Sequence, residues 1–172
     1  MTAGEVLDLA GTFLQEPKVS GRTTGEPELL RMVNSVVSEI CGEYFPLRKT
    51  EEAESGGEIP LSSLSERLRQ VADIKKEGRR VGFRLLPFCI RTEAGRVEVD
   101  YFYLPAAAED EQGELELSPL LDARTVALGV AAEYCLCSGL YEQALAFDRR
   151  FRDSLAALAP HRERRLPERR FP

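Results

Sequence analysis

The sequence predicts an α+β fold with amino-terminal helices, a small antiparallel β-sheet in the middle, a long carboxy-terminal helix or helix pair, and a flexible basic tail. Two patterns predict it. Apolar residues recur every three or four positions near both ends of the chain, and they alternate with polar residues in its centre. With 43% hydrophobic residues among 172, the chain can bury a substantial core. We therefore expect one domain at residues 1–160 and a basic carboxy-terminal arm at 161–172.

Two amphipathic stripes predict the amino-terminal helices. The first helix is expected over residues 3–14. The second begins near Pro27, because a missing backbone N–H is harmless in a first helical turn, and it ends before Pro46. The apolar faces are Val6, Leu9, Ala10 and Phe13 in the first helix, and Leu29, Leu30, Val33, Val36, Val37, Ile40, Cys41 and Tyr44 in the second.

The centre of the chain predicts strands separated by turns. The clearest strand places Val97, Val99, Tyr101 and Tyr103 on its inner face, because these residues alternate with more polar ones. Gly95 is expected to supply the positive φ of a hairpin turn before this strand. Acidic composition predicts a mobile loop at 51–58 and a second loop at 106–113. The other predicted elements are a short edge strand or turn at 61–64 and strands at 67–75, 81–86 and 88–92.

The carboxy-terminal third predicts one long helix or two. Ser118-Pro119 is a typical helix start, with serine as the cap. Only Glu133 is charged between residues 126 and 137, so we expect this segment to be covered on nearly all sides. Within it, Gly129 costs about 1 kcal/mol against alanine unless close packing offsets it. Gly139 predicts a break, and a further stripe follows before Pro160: Leu140, Ala144, Phe147, Phe151, Leu155 and Leu158.

Charge is distributed unevenly along an acidic chain. The 23 basic and 29 acidic residues give a net charge of -6, which argues against bulk nucleic-acid binding. The carboxy-terminal arm is nevertheless basic. We expect this arm to bind a partner, with a solvated, unpartnered end as the alternative. The predicted partner-binding residues are Arg162, Arg164, Arg165, Arg169, Arg170 and Phe171 in the arm, together with Glu133.

The residues predict no catalytic, cofactor or metal site. The single histidine, His161, follows the last helix, so a Ser-His or Cys-His arrangement is unsupported. Cysteines at 41, 89, 135 and 137 lack metal-ligand spacing, and we expect them to be buried thiols. No stretch reaches the ~18 apolar residues of a membrane span, and the amino terminus lacks the pattern of a secretory signal. We therefore expect a non-enzymatic protein without a membrane segment.

Three acidic side chains are the remaining candidates for chemistry. Glu98 and Asp100 share one strand face, where we expect water to solvate them; an acid–base or cation-binding pair is the alternative. Glu133 has apolar neighbours along the chain. Because a lone buried carboxylate is costly, Glu133 must either pair with a cation or face a boundary between subunits.

Three segments, in the same order along the chain, carry a family resemblance. They are residues 30–47, Val97 to Pro105 with its ending Tyr101-Phe102-Tyr103-Leu104-Pro105, and residues 129–153 beginning Gly129-Val130-Ala131-Ala132-Glu133-Tyr134-Cys135-Leu136. Together they resemble the head-to-tail connector, or neck adaptor, proteins of phages and prophages. The resemblance carries no catalytic residue.

The resemblance implies a virion structural protein that forms a ring of identical subunits between the portal and the tail. It implies contacts with the portal protein and with downstream neck or tail proteins, and assembly in the cytoplasm of the bacterial host. DNA would pass through the lumen without sequence-specific binding, which the acidic segments 51–58 and 109–116 would favour. The alternatives are a small cytoplasmic protein-interaction module and a DNA-packaging or tail-assembly accessory protein.

Overall fold

A computed structural model describes residues 1–15 and 27–158. Within these ranges it confirms the α+β fold, with four α-helices and two antiparallel sheets. The predicted basic arm, with its five arginines and Phe171, lies outside the described residues. The helices are α1 (Ala3–Leu14), α2 (Pro27–Glu39), α3 (Ala123–Cys137) and α4 (Tyr141–Leu158). The strands are β1 (Leu47–Ser55), β2 (Glu58–Pro60), β3 (Arg67–Lys76), β4 (Arg79–Arg80), β5 (Arg84–Leu85), β6 (Cys89–Arg91) and β7 (Gly95–Leu104).

The amino-terminal helices follow the predicted stripes. Helix α1 has the predicted bounds, and a capping box fixes its start: Thr2 accepts from the Glu5 N–H, and the Glu5 carboxylate accepts from the Thr2 N–H. Helix α2 continues beyond Glu39 as a π-helix over Ile40–Tyr44, a change of pitch that the spacing did not predict. Burial of Ile40 and Cys41 is as predicted.

Helix α3 packs closely against two other helices at Gly129. A Cβ atom built on Gly129 would lie 2.7 Å from Cγ1 of Val36 and 3.1 Å from Cε2 of Phe151. Val36 belongs to α2 and Phe151 to α4, so the glycine lets three helices approach each other. The close packing that would offset the low helix propensity of glycine is therefore present at this position.

The start of α3 differs from the prediction. Ser118 and Pro119 lie in a turn, in which the Leu121 N–H donates to the Ser118 carbonyl at 3.0 Å. Asp122 caps the helix instead, because its Oδ1 accepts from the Thr125 N–H at 2.8 Å. Hydrogen bonding by the Thr125 side chain, and to a smaller extent by this backbone N–H, lowers the pKa of Asp122 below its ordinary value. Asp122 is as good a cap type as serine, so residue preference alone could not choose between the two positions.

The larger sheet is built around β7, with strand order β1-β7-β3-β4. The predicted inner face of β7 is confirmed, since Val97, Val99, Tyr101 and Tyr103 are all buried. They form an apolar core with Ile74 that is separate from the core among the helices. Strand β3 also matches its prediction, with Val71 and Ile74 buried. The fold therefore has one helical core and one sheet core.

The acidic segment 51–58 is not a loop. Residues 47–55 form β1, which pairs antiparallel with β7 along its whole length, and Glu58 begins β2. The acidic side chains have partners across the strands: Glu51 accepts from the Ser65 N–H at 3.1 Å, and Glu52 pairs with Arg96. Charged residues suit an edge strand because they discourage pairing with other chains. This composition made the strand resemble a loop.

The turn at 93–95 does not close a hairpin. Gly95 has the predicted positive φ, at +117°, but β6 belongs to a second sheet with order β2-β6-β5. The turn therefore connects two sheets. The predicted strand at 81–86 is confirmed only at Arg84–Leu85, which form β5, because residues 81–83 between β4 and β5 have no regular structure.

The second acidic segment has the predicted irregular structure but is docked on the amino terminus. The Ala3 N–H donates to the Gly113 carbonyl at 3.0 Å, and the Gly4 N–H donates to the Glu111 carbonyl at 2.8 Å. The Leu115 N–H donates to the Met1 carbonyl. The first two of these bonds satisfy backbone donors of the first turn of α1, which would otherwise lack partners.

Asp100 is buried, so the prediction that water solvates both Glu98 and Asp100 is wrong for Asp100. The Arg48 Nε donates to its Oδ1 at 2.7 Å, and a second nitrogen of the same guanidinium contacts its other oxygen. Thr50 also donates to the carboxylate, at 3.4 Å. The hydrogen bonding by Arg48 lowers the pKa of Asp100 below its ordinary value of 3.8. This carboxylate is a structural anchor between β1 and β7.

Replacing Asp100 tests this ion pair. Asp100→Asn should lower the unfolding free energy by about 1–3 kcal/mol at pH 7, because it removes charge-assisted hydrogen bonds at a buried site. The difference from wild type should shrink as the pH falls from 3.8, where the carboxyl group of the unfolded chain becomes protonated, through the lower pKa of the folded state, where the native carboxyl group is protonated too. Urea unfolding at pH 7 and pH 3 measures both effects. Glu98→Gln, at an exposed site in the same strand, is the control, and equal effects of the two variants would contradict the assignment.

Replacing Gly129 tests the contact among three helices. Gly129→Ala should destabilise the protein by about 1–3 kcal/mol, since the added methyl group overlaps Val36 in a packed core. Gly42→Ala is the control, because its Cβ would meet only the Arg69 side chain, at an ordinary 3.9 Å. Chemical denaturation compares them. Stabilisation by Gly129→Ala would show that the three helices are not in close contact there.

Candidate functional site

Glu133 is the predicted partner-binding residue that lies within the described residues. It is half-buried in the last turns of α3 and lines an open groove between α3 and α4 with a volume of about 400 Å³. We call this the α3–α4 groove. Its lining includes Glu133, Leu136, Tyr141, Leu145, Asp148 and Arg152, together with Glu39 of α2.

The groove forms where the chain turns from α3 into α4. Gly139 has a φ of +75°, and its N–H donates to the Leu136 carbonyl at 3.2 Å. The Leu140 N–H donates to the Cys135 carbonyl at 2.8 Å. These two bonds are the Schellman arrangement that ends a helix with glycine in the left-handed conformation. The predicted break at Gly139 is confirmed, and the two helices form a pair rather than one long helix.

The walls of the groove are apolar and exposed. Leu145 is 70% exposed and Tyr141 is 65% exposed, while Leu136 and Leu140 beside them are about half exposed. The predicted coverage of α3 on nearly all sides therefore holds for its first turns but not for its last. Of the predicted stripe, Ala144, Phe151 and Leu155 of α4 are buried, but Leu158 and Leu140, which precedes α4, are exposed. Clustered exposed apolar side chains typically mark an interaction surface.

Carboxylates dominate the charge of the groove. Arg152 is held by Asp148, with Nε 2.9 Å from Oδ2, and lies 3.8 Å from Oε1 of Glu39. Within residues 1–15 and 27–158, Glu133 has no ion-pair partner. Glu133 was expected either to pair with a cationic side chain or to face a boundary between subunits. The described residues do not provide such a cationic partner. The Glu133 carboxylate faces an opening instead.

The pKa of Glu39 reflects the negative charge that surrounds it in the groove. Burial raises the pKa of Glu39, Arg152 opposes that rise, and the neighbouring carboxylates of Glu43, Asp148 and Glu133 add to it. A cation that entered the groove would relieve this repulsion. The groove can therefore bind a group that is both positively charged and apolar.

A second exposed apolar surface lies on the small sheet. Phe88 is 85% exposed in the tight turn between β5 and β6, where the Leu86 N–H donates to the Cys89 carbonyl. Phe83 and Leu85 are exposed beside it in the chain. We call Phe83, Leu85 and Phe88 the β5–β6 patch. This patch was not predicted from the sequence, because Phe83 and Leu85 lay in the predicted strand 81–86 and Phe88 in the predicted strand 88–92.

The cysteines behave in two ways. Cys41 and Cys135 are buried as predicted, and burial raises the pKa of the Cys41 thiol to about 11. Cys89 is half-buried and Cys137 is exposed, contrary to the prediction. In the described ranges, no three histidine, cysteine or acidic side chains converge in a way that could hold a metal ion.

Comparisons with known proteins leave the family open: no family model matches the chain, and no curated protein matches it. None of the described helices is long and apolar enough to cross a membrane.

The exposed wall of the groove can be tested for a structural role. Leu145→Gln should change the unfolding free energy by less than about 0.5 kcal/mol, because the side chain is exposed and both residues favour helix. Phe151→Ala, on the same helix but buried, should cost about 3–5 kcal/mol. Chemical denaturation compares the two variants. A loss of more than about 2 kcal/mol from Leu145→Gln would mean that this residue belongs to the core.

Proposed function

We propose that the protein is a head-to-tail adaptor subunit of a phage or prophage virion. In this proposal it is not an enzyme. Identical copies form a ring between the portal and the tail, and the protein acts through the surfaces that it presents to other proteins. It assembles in the cytoplasm of the bacterial host and ends in the neck of the virion.

The observation that carries the proposal is the presence of two different exposed apolar surfaces on one small fold. The α3–α4 groove belongs to the helical layer, and the β5–β6 patch belongs to the small sheet. An adaptor needs two kinds of contact, one with neighbouring copies and one with another component of the neck. We assign the groove to contacts between copies and the patch to the portal or the next neck protein.

The groove suits a ring because it is not self-complementary. It is concave and carries an excess of carboxylates, so two grooves facing each other would bring like charges together. A contact between unlike surfaces of two copies is heterologous, and such contacts close into rings when the rotation between copies permits. The groove therefore favours a ring over a two-fold dimer.

The charge of the chain supports passage of DNA without binding. The net charge is -6, and like charges repel phosphates within about a Debye length, ~8 Å. Some acidic side chains of β1 form ion pairs within the sheet, as Glu52 does with Arg96. In the ring, a strand rather than a mobile loop would therefore expose the remaining acidic side chains to the DNA. A lumen lined by such surfaces would let DNA slide.

Separate variants of the two surfaces test the proposal. Phe88→Ser should abolish binding to a portal ring from the encoding phage or prophage while leaving self-association unchanged. Leu145→Gln should weaken self-association at least tenfold, since it removes exposed apolar surface from the groove. Leu120→Ser, at another exposed apolar residue, is the control for both. Light scattering after size-exclusion chromatography measures self-association, and co-sedimentation measures portal binding.

Two outcomes would contradict the proposal. A full-length protein that remains monomeric at every concentration and binds no portal ring would favour the cytoplasmic interaction module. Retention on DNA at low salt that is lost when the basic arm is neutralised would favour the DNA-packaging accessory.

A further inference from the structure

We propose that the α3–α4 groove of each copy holds the carboxy-terminal segment, residues 159–172, of a neighbouring copy. The inference rests on the proposed function, because a neighbouring copy is what brings a second groove within reach. It identifies the contact that would join one subunit to the next.

Charge complementarity is the first argument. The stretch 162–170 contains five arginines and two glutamates, so it is a basic segment in a chain whose net charge is -6. The groove presents Glu133, which has no ion-pair partner in the described part of the chain, beside Asp148 and Glu39. A guanidinium docked on Glu133 would form a charge-assisted hydrogen bond in a partly desolvated site.

The apolar walls match the rest of the segment. Residues 159–172 also contain Leu166 and Phe171, which can cover exposed apolar surface of the groove. Tyr141, which is 65% exposed, offers an aromatic face on which an arginine can stack. A purely basic ligand would leave Leu145 exposed to water. A segment with basic and apolar side chains can contact both the carboxylates and the apolar walls of the groove.

Chain geometry favours a neighbour over the same copy. The groove lines α4 from Tyr141 to Arg152, whereas the segment leaves α4 after Leu158, about 9 Å along the helix from Arg152 and about 20 Å from Leu145. To enter its own groove the segment would have to reverse and run back along α4. Fourteen residues extend by up to about 45 Å, which is enough to cross to the groove of an adjacent copy.

Two full-length variants with unchanged cores test the inference. The groove variant is Glu133→Arg, and the arm variant replaces all five arginines of 162–170 by serine. Each variant alone should be monomeric, because each lacks one half of the junction. An equimolar mixture should form a one-to-one dimer and no larger assembly. The arm of the groove variant can dock in the groove of the arm variant, and no second junction is possible. Glu142→Arg, at an exposed acid of α4 outside the groove lining, should assemble like wild type. Circular dichroism melts check that the variants fold.

A peptide provides a direct binding measurement. A synthetic peptide of residues 159–172 should bind the arm variant, and its affinity should fall as salt rises. Adding Glu133→Gln to the arm variant should weaken binding about tenfold, equivalent to about 1.4 kcal/mol. A peptide of the same composition in scrambled order should bind at least tenfold more weakly, since its apolar residues would no longer meet the walls.

The outcomes separate this inference from the proposed function. An arm variant that still assembles into wild-type rings would overturn the inference and leave the adaptor function standing. Peptide binding to a protein that never assembles and binds no portal ring would contradict the function but support the recognition surface. If the wild-type protein stays monomeric while its own arm blocks the added peptide, the arm occupies its own groove and the inference is wrong. Equal binding of both peptides would also overturn it.

Discussion

The close approach of three helices at Gly129 is the constraint on which the rest of the structure depends. Because this position has no side chain, Val36 and Phe151 reach the backbone of α3, and the middle of that helix is enclosed between α2 and α4. Enclosure there fixes the direction in which α3 leaves the core. Its last turn then projects past the packed region, and the glycine-ended turn at Gly139 returns the chain as α4. The open groove is the space between the two helices beyond their shared core.

Buried charge has a different role in each half of the molecule. In the sheet, Asp100 is held by Arg48, so this carboxylate joins an edge strand to the central strand. Among the helices, Arg152 already has two carboxylate neighbours, and Glu133 remains turned toward the opening. Glu133 is half-buried and has no ion-pair partner in residues 1–15 and 27–158, so a cation supplied by another molecule would stabilise its carboxylate. This imbalance makes the α3–α4 groove, rather than the acidic face of the larger sheet around Asp100, a candidate for recognition.

Much of the fold could be predicted from periodicity, and the errors have a common physical origin. Helices with one continuous apolar face could be predicted because the spacing of apolar residues along the chain indicates which face is buried. Strand β7 could be predicted for the same reason. The strand at 47–55 was missed because its acidic residues are neutralised by partners distant in sequence, such as Arg96 for Glu52. Glu133 could be singled out from its apolar neighbours along the chain. The exposure of Phe88 could not be predicted in this way. The same residue types occur in half-buried strands and in exposed turns, and only the pairing of the strands distinguishes the two.

Hydrogen–deuterium exchange on assembly is the most direct test of the central claim, that the protein acts by docking through two separate surfaces. The free full-length protein is compared with the protein bound to a portal ring and to its own copies. Amide protection should rise in residues 133–145 and 83–88 and stay unchanged along the polar face of β7 near Glu98. Protection that rises instead near Glu98, or in neither segment, would contradict the account.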